Sequence, residues 1–496
     1  MTMASLSKEK LLWPQRLRMG VAIVTAILAT LSLPLENGIA GAFSWVVLAG
    51  IFLLLWRPGE APALPFALTI QWLQASIAVH YCNFYGVRLE QFIVGVYAED
   101  AVLLSLMGLL VVTLGIRLAL GRANPEIAKR IRTQSEEISL HRMFVIWAGA
   151  TVASIILTML ALRAGGLRQF ILPFASLNMI ALGMLAYKVV SGGRGYLLLG
   201  IATLVEVGVQ LMGFFAGFKL VFFVLIMAIP AAFRRLRIRN LITVSVCGVG
   251  LVFLLLVYSA VKYDHREVLR GGDKTIQSIA VSRSEQFSSL WQLVSGLTLS
   301  DLDLAVTTMV ERVNYVLYFA HVQEMVPSSI PHEQGRIWME TLMFVAMPRV
   351  LFPNKPATND SKKTNRYLPY KVAGLDQGTT ITIGYMGESF IDFGRVGMMV
   401  PLFALGIFAG SAYRLMAYSR YPFLGLGLVI AIHGLGFHLL EASTKIIVGG
   451  LFIRTVILGG ASVVLSSRVW RWMSKARPTV QPAFAASISR MHRPQP

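Results

Sequence analysis

Two short stretches late in the chain carry the residues best spaced for chemistry. The first, MPRVLFPNKP, sets Arg349 and Lys355 among Pro348, Pro353 and Pro356. Prolines fix the backbone around them, so the two cations occupy defined positions. Cations held in this way meet either lipid headgroups or the charge of a reacting anion. The second stretch, GYMGESFIDFGRVG over Gly384–Gly397, spaces Glu388 and Asp392 four apart, with Arg395 three further on. In a helix these residues share one face, and carboxylates near a helix N-terminus are favoured by its dipole. For both acids two readings stay open, ordinary capping and acid–base work.

The elements that position these stretches are membrane helices. Of 496 residues, 55% are hydrophobic and 14% charged, and mean hydropathy is +0.65. Soluble chains carry about a quarter charged residues, so a water-soluble enzyme is excluded. The apolar residues come in blocks of about twenty, enough to span hydrocarbon as a helix. Twelve such segments lie near 19–35, 39–56, 62–79, 101–118, 142–162, 172–190, 196–215, 219–233, 241–260, 396–413, 422–440 and 447–466. The expected fold is an all-α polytopic membrane protein. Nine helices occupy 1–260, a large loop 261–395, three more helices 396–466, and a basic tail 467–496.

Orientation follows from Lys and Arg. Lys8, Lys10, Arg16 and Arg18, then Arg122, Lys129, Arg130 and Arg132, then Lys188 and Arg194 fall on one side. Arg234, Arg235, Arg237 and Arg239, then Arg414 and Arg420, then Arg468, Arg471, Lys475 and Arg477 follow there. Both termini are therefore expected in the cytoplasm and the large loop outside. The first apolar block is read as a retained span, not a cleaved signal peptide. The formal charge of +20 is explained by this inner face, with about 25 basic against about 5 acidic residues, and not by a nucleic-acid footprint. Two cysteines, Cys82 and Cys247, form neither a disulfide framework nor a zinc pattern.

Within the large loop, Ser300 with Asp303 resembles a capping box opening an apolar run from Leu302 to Met325. A shorter run, Ile337 to Met347, suits an interfacial or re-entrant helix, so the loop is expected against the membrane surface. Inside the spans, Glu206 with Gln210 reads as an interhelix hydrogen bond or a functional carboxyl. His438, Glu441 and Lys445 border either an acceptor cavity or the interface. Arg454 is expected to pair with an internal acid, and His433 to be a packing residue.

The stretches PRxLFPxKP at 348–356 and GESFIDFGxxG at 387–397 resemble the bacterial oligosaccharide repeat-unit polymerases, the O-antigen or exopolysaccharide (Wzy-type) family. The resemblance covers the topology overall and the sequence from roughly 310 to 400. It implies a GT-C-like fold and a metal-independent, inverting glycosyltransferase in the inner membrane that uses no cofactor. Its substrates would be undecaprenyl-diphosphate-linked oligosaccharides at the periplasmic face, its partners a flippase and a chain-length regulator. The leaving group is then a diphosphate, which an arginine fork suits and fixed cations stabilise. Arg349 is the first candidate for that role, and Lys355, Arg312, Arg336, Arg266, Arg270 and Lys219 follow as substrate-binding cations. Glu388 is the candidate base, with Asp264 and Glu311 as alternatives, and Asp392 joins the substrate-binding set. An O-antigen ligase-like transferase uses the same donor chemistry, and a lipid-linked oligosaccharide flippase or transporter is a third reading. Transporters usually show two related halves, and no internal repeat is visible here.

Overall fold

The computed structural model describes residues 3–93, 97–211, 217–233, 238–271, 281–355, 359–374 and 380–474, with side chains described in these except 3–14, 238–247 and 283. Every regular element among the described residues is helical. In chain order the main helices are α1 (Met3–Ser32), α2 (Gly38–Leu55), α3 (Ala63–Tyr85), α4 (Ala98–Leu120), α5 (Pro125–Glu137), α6 (Leu140–Arg163) and α7 (Leu177–Gly192). Then come α8 (Tyr196–Leu211), α9 (Lys219–Ala231), α10 (Ile238–Leu269), α11 (Arg283–Ser295), α12 (Leu299–Val313) and α13 (Val316–Met325). The last are α14 (Arg336–Ala346), α15 (Asp360–Tyr367), α16 (Tyr385–Gly397), α17 (Met399–Ala417), α18 (Pro422–Val429), α19 (Thr444–Arg454) and α20 (Gly460–Ser474).

Among the described residues, seven helical segments are long and apolar enough to cross a membrane, and three shorter apolar helices accompany them. The chain is an all-α, multi-pass membrane protein. Each of the twelve apolar segments is helical over much of its described length, with three departures from expectation. The segment at 422–440 keeps its helix only to Gly434 and then unwinds. The segment at 241–260 continues to Leu269, so Arg266 lies inside a helix and not beyond it. Helix α20 runs to Ser474, which puts Arg468 and Arg471 of the expected tail on a helix; residues 475–496 lie outside the described ones.

Helices α4 and α17 pack through glycine. A Cβ at Gly406 would stand 2.3 Å from the Val112 carbonyl oxygen, and one at Gly115 2.4 Å from that of Phe403. Small residues allow this backbone approach where hydrocarbon offers no hydrophobic drive for helix association. The basic loops gather at one end of the molecule. Arg57 donates to the Gly121 carbonyl at 2.6 Å and to the Tyr418 hydroxyl. Arg130 donates to the Arg420 carbonyl at 2.7 Å, and Trp470 to Glu137 at 3.2 Å. Arg234, Arg235 and Arg237 lie outside the described residues.

The large loop is a set of short helices. Ser282 with Glu285 forms a capping box on α11. The box on α12 is Thr298 with Asp301, not Ser300 with Asp303, because the helix begins at Leu299, three residues before the apolar run. That run is also broken at Asn314, whose Oδ1 accepts from Val316 N and starts α13. Helices α11 and α12 meet at a bend of 107°. Helix α14 matches the expected short run and turns Met339, Leu342 and Met343 outward, as an interfacial helix does.

Candidate functional site

The site is built around an interrupted helix. After a π turn at Ile430–Gly434, residues 435–443 have no regular structure, although Phe437, Leu440 and Ser443 are fully buried. Irregular backbone at this depth needs protein partners for its polar groups. Helix α3 and the start of α16 provide them. Gln71 Nε2 donates to the Phe437 carbonyl, and Leu440 N donates to Gln74 Oε1 at 2.7 Å. Tyr385 N donates to the Ala442 carbonyl at 2.8 Å, and the Thr382 hydroxyl to that of Glu441. Gln71 and Gln74, two amides in one apolar helix, mark from sequence only that α3 has polar partners, not which segment receives them.

The GESFID stretch forms helix α16, as its spacing predicts, and its acids serve helices other than their own. Glu388 is fully buried. Its Oε2 accepts from Thr444 N at 2.8 Å and from Thr444 Oγ1 at 2.6 Å, capping α19. Its Oε1 forms an ion pair with Lys363, which also reaches Asp360 at 3.3 Å. Asp360 in turn accepts from Ser443 Oγ at 3.0 Å. Burial alone would push the Lys363 ammonium down, but the Glu388 and Asp360 carboxylates outweigh it and hold its pKa above the ordinary value. Asp392 accepts from Ile337 N at 3.0 Å and Trp338 N at 2.8 Å, capping α14. Burial pushes the Asp392 carboxyl up, against these two bonds. Thr341 and Thr444 join the two capped helices through a 2.8 Å hydroxyl contact.

Between α14 and α19 lies a cleft of about 390 Å³, walled by apolar residues such as Val345, Ile446 and Phe452. Arg349, Lys355 and Lys445 stand in its lining. Lys355 Nζ lies 3.3 Å from the Phe344 ring centre, and donates to the Phe344 carbonyl and, at 2.8 Å, to that of Met347. It thereby closes the C-terminus of α14, where a cation is favoured. Burial and the neighbouring charges of Arg349 and Lys445 push the Lys355 ammonium down. Lys445 has Glu340 at 3.6 Å. A second cavity of about 790 Å³, lined in part by Gly165, Gly166 and Arg168, meets this cleft at Gln169 and Arg349.

A second cationic group faces Glu441 of the interrupted segment. Lys219 opens α9, Lys262 and Arg266 lie on α10, and Arg312 ends α12; Lys219, Lys262 and Arg312 lie within electrostatic range of Glu441, and Arg266 of Lys262 and Arg312. Lys219, Arg312 and Glu441 remain open to solvent. The protein packed around Glu441 partly desolvates its carboxyl and pushes it up although one side stays open to solvent, and the three cations pull it the other way. Glu441 and Lys445 are four residues apart, so their Cα atoms are separated by roughly 14 Å at most. The two cationic groups therefore flank one short segment.

This geometry spans most of the region that defines a family. The chain belongs to the family described as Domain of unknown function (DUF8712), whose model matches residues 102–435. No curated protein and no solved structure matches the chain. The matched region holds Lys219, Arg266, Arg312, Arg349, Lys355, Glu388 and Asp392, and ends before Glu441 and Lys445.

The sequence-selected residues thus divide. Lys219, Arg266 and Arg312 come together; Arg349 and Lys355 come together. Glu388 and Asp392 cap helices beside the second of these groups. Arg336 belongs to neither group: it pairs with Glu333 at 2.7 Å, which Arg366 also reaches at 3.0 Å and the Tyr367 hydroxyl at 2.5 Å. Lys262 and Lys363 were not singled out from sequence. Lys262 and Arg266 share a helix face at i, i+4, a signal hidden by ending the helix at 260.

Among the internal ionisable groups, Glu206 is fully buried and accepts from Trp147 at 3.0 Å, Thr151 at 2.7 Å and Asn178 at 2.8 Å. It is an interhelix hydrogen-bond centre. His433 contacts the Ala409 carbonyl at 3.1 Å in the core. Arg454 does not pair with an acid among the described residues; its guanidinium lies against Gly436 of the interrupted segment.

Proposed function

We propose that this protein is a membrane glycosyltransferase that polymerises undecaprenyl-diphosphate-linked oligosaccharide repeat units into a bacterial surface polysaccharide. One observation carries the reading: two cationic groups flank the same interrupted helix, one of them opening on an apolar cleft. A polymerase joins two lipid-diphosphate substrates, and so needs two diphosphate sites within reach of each other. In the transfer, an acceptor hydroxyl bonds to the anomeric carbon of the donor and the carbon–oxygen bond to the diphosphate breaks. Negative charge then builds on the diphosphate, where fixed cations stabilise it most strongly if water is excluded. Arg349, with its planar fork, takes this role beside Lys355 and Lys445; Lys219, Lys262, Arg266 and Arg312 hold the second diphosphate.

The acceptor proton goes to Glu441, a carboxylate open to solvent between the groups. Glu388 acts through Thr444 and is a positioning residue, because both its oxygens are engaged. On this reading all twelve apolar segments cross the inner membrane in a GT-C-like arrangement. Both termini lie in the cytoplasm, the site faces the periplasm, and a flippase and a chain-length regulator act beside it.

The test is reconstitution of purified protein in proteoliposomes with lipid-linked repeats. Extension is expected, with Arg349→Ala slower by about 10²–10³-fold, the usual cost of one preorganised donor. A folded Arg349→Ala variant extending at the normal rate removes Arg349 from the mechanism. In cells lacking the gene, single lipid-linked repeats should accumulate. Complete polymer left on lipid would favour a ligase instead, and repeats trapped at the inner leaflet a flippase.

A further inference from the structure

The geometry points to a two-compartment site for a glycosylated lipid diphosphate, with Arg349 and Gln169 as the waist between its lipid end and its sugar end. The inference rests on the reading proposed above and assigns the Arg349 cleft to the donor. Two cavities, of about 390 and 790 Å³, share Arg349 and Gln169 and no other lining residue. Both volumes fall in the range of about 300–1,000 Å³ that ligand sites occupy.

Their linings differ in chemistry. The smaller cavity is apolar apart from its cations and Gln169, which suits an isoprenoid chain ending in phosphate. The larger also has apolar walls, Leu162, Leu167 and Val350 among them, but adds Arg168 and the Gly165–Gly166 backbone, which offer polar partners to hydroxyl groups. At the joint the backbones are packed: a Cβ on Gly166 would lie 3.4 Å from the Arg349 carbonyl oxygen. The waist is thus a fixed distance between two chain segments.

A ligand that fills both compartments must be apolar at one end, anionic in the middle and polar beyond. Arg349 meets the diphosphate. Gln169 carries two donors and one acceptor oxygen with two lone pairs, and reads the sugar bonded directly to that diphosphate. The growing glycan then runs into the larger cavity. A phospholipid fills the cleft but gains nothing from the second compartment, so sugar dependence separates the two occupants.

The experiment measures binding to the full-length protein in nanodiscs, with three probes: undecaprenyl diphosphate, the same lipid carrying one oligosaccharide repeat, and phosphatidylglycerol. The loaded lipid is expected to bind at least about tenfold tighter than the bare one, a gain of about 1.4 kcal/mol. Gln169→Leu should abolish that gain, bringing loaded and bare lipid to equal affinity, whereas Arg349→Ala should weaken both. Should Gln169→Leu fail to fold, Leu162→Trp, which narrows the larger cavity from its wall, is read in the same way. An unchanged ratio of loaded to bare affinity in a folded variant overturns the waist. Bare lipid that binds while its sugar adds nothing overturns the inference alone. Wild-type protein that does not prefer the bare diphosphate over phosphatidylglycerol overturns the proposed function and this inference together.

Discussion

Removing the Glu388 carboxylate should unseat two elements at once. In Glu388→Ala the Thr444 N–H and hydroxyl lose bonds of 2.8 and 2.6 Å in a fully buried position. Lys363, whose side chain is 18% exposed, keeps only Asp360. Breaking a buried ion pair from one side costs about 3–5 kcal/mol, because the surviving charge is stranded. The Thr444 donors belong to the same network, so their loss does not simply add to that figure. Lys363→Met should cost somewhat less, since Glu388 keeps its Thr444 bonds. The double variant Glu388→Gln/Lys363→Met should lie much closer to wild type, because replacing a whole buried pair by neutral groups is often nearly neutral. The coupling energy should reach about 2–3 kcal/mol, the upper range for contacting residues. Denaturant titration in mixed micelles of wild type, Glu388→Gln, Lys363→Met and the double variant measures all four corners of the cycle. The same four proteins separate positioning from acid–base work: the double variant should recover extension of lipid-linked repeats together with stability. A general base would leave it folded and inactive. A loss below about 1 kcal/mol in Glu388→Ala, or a double variant no better than the worse single, would refute the clamp.

Three further predictions follow from the same contacts. Gln71→Leu strands the Phe437 carbonyl and the Tyr385 hydroxyl, which donates to Gln71 at 2.7 Å, and should cost about 1–3 kcal/mol for each; unchanged unfolding would remove Gln71 as support of the interrupted segment. Burial alone would raise the Glu333 carboxyl, but Tyr367, Arg336 and Arg366 hold it below its ordinary 4.5, so its stabilisation is present above pH 4.5 and is lost as pH falls through the lower folded value. Glu333→Gln should flatten that acid limb of the stability curve, and an identical limb in the variant would count against the cluster. Glu441 runs the other way: burial raises it above 4.5, its ionised form is the working one, and extension should rise with pH through that higher value. Glu441→Gln should be slow and lack this limb, and a limb that persists in the variant would exclude Glu441 as the proton acceptor.

The apolar segments were legible because twenty-residue blocks with few charges have one comfortable solution in hydrocarbon. Helix α14 and the helical spacing of Glu388 and Asp392 on α16 were legible for related reasons, since Gly335 and Pro348 bound the first and the 388/392 spacing marks the second. The face does not extend to Arg395, because Gly394 (φ 69°) breaks the helix and Arg395 pairs with Asp100 instead. The unwinding at 435–443 was not. Its residues read as a continuing span, and what allows it to open is the pair Gln71 and Gln74, more than 360 positions away. The extension of α10 to Leu269 was missed because hydropathy falls at Lys262 while helical geometry does not. The roles of Glu388 and Asp392 were half legible. Both do cap helix N-termini, but those of α19 and α14, which no local spacing can name.

The placement of acids and bases around the cleft follows one electrostatic logic. A carboxylate buried in a membrane protein is tolerable where backbone N–H groups and a fixed cation receive it, and helix N-termini offer such groups ready-made. Glu388 and Asp392 occupy two of these positions, so the negative charge of the GESFID stretch is spent on architecture. The cations on the cleft are treated differently. Lys355 is held by carbonyl oxygens at a helix C-terminus, and carbonyls orient an ammonium without neutralising it. The mouth of the cleft therefore keeps positive potential at set coordinates, even though the acids lie in the next layer. Because both clamps stem from a five-residue stretch of α16, a shift of that helix moves α14 and α19 together. The separation of the cleft walls, with Lys355 on one and Lys445 on the other, is therefore set by one short helix.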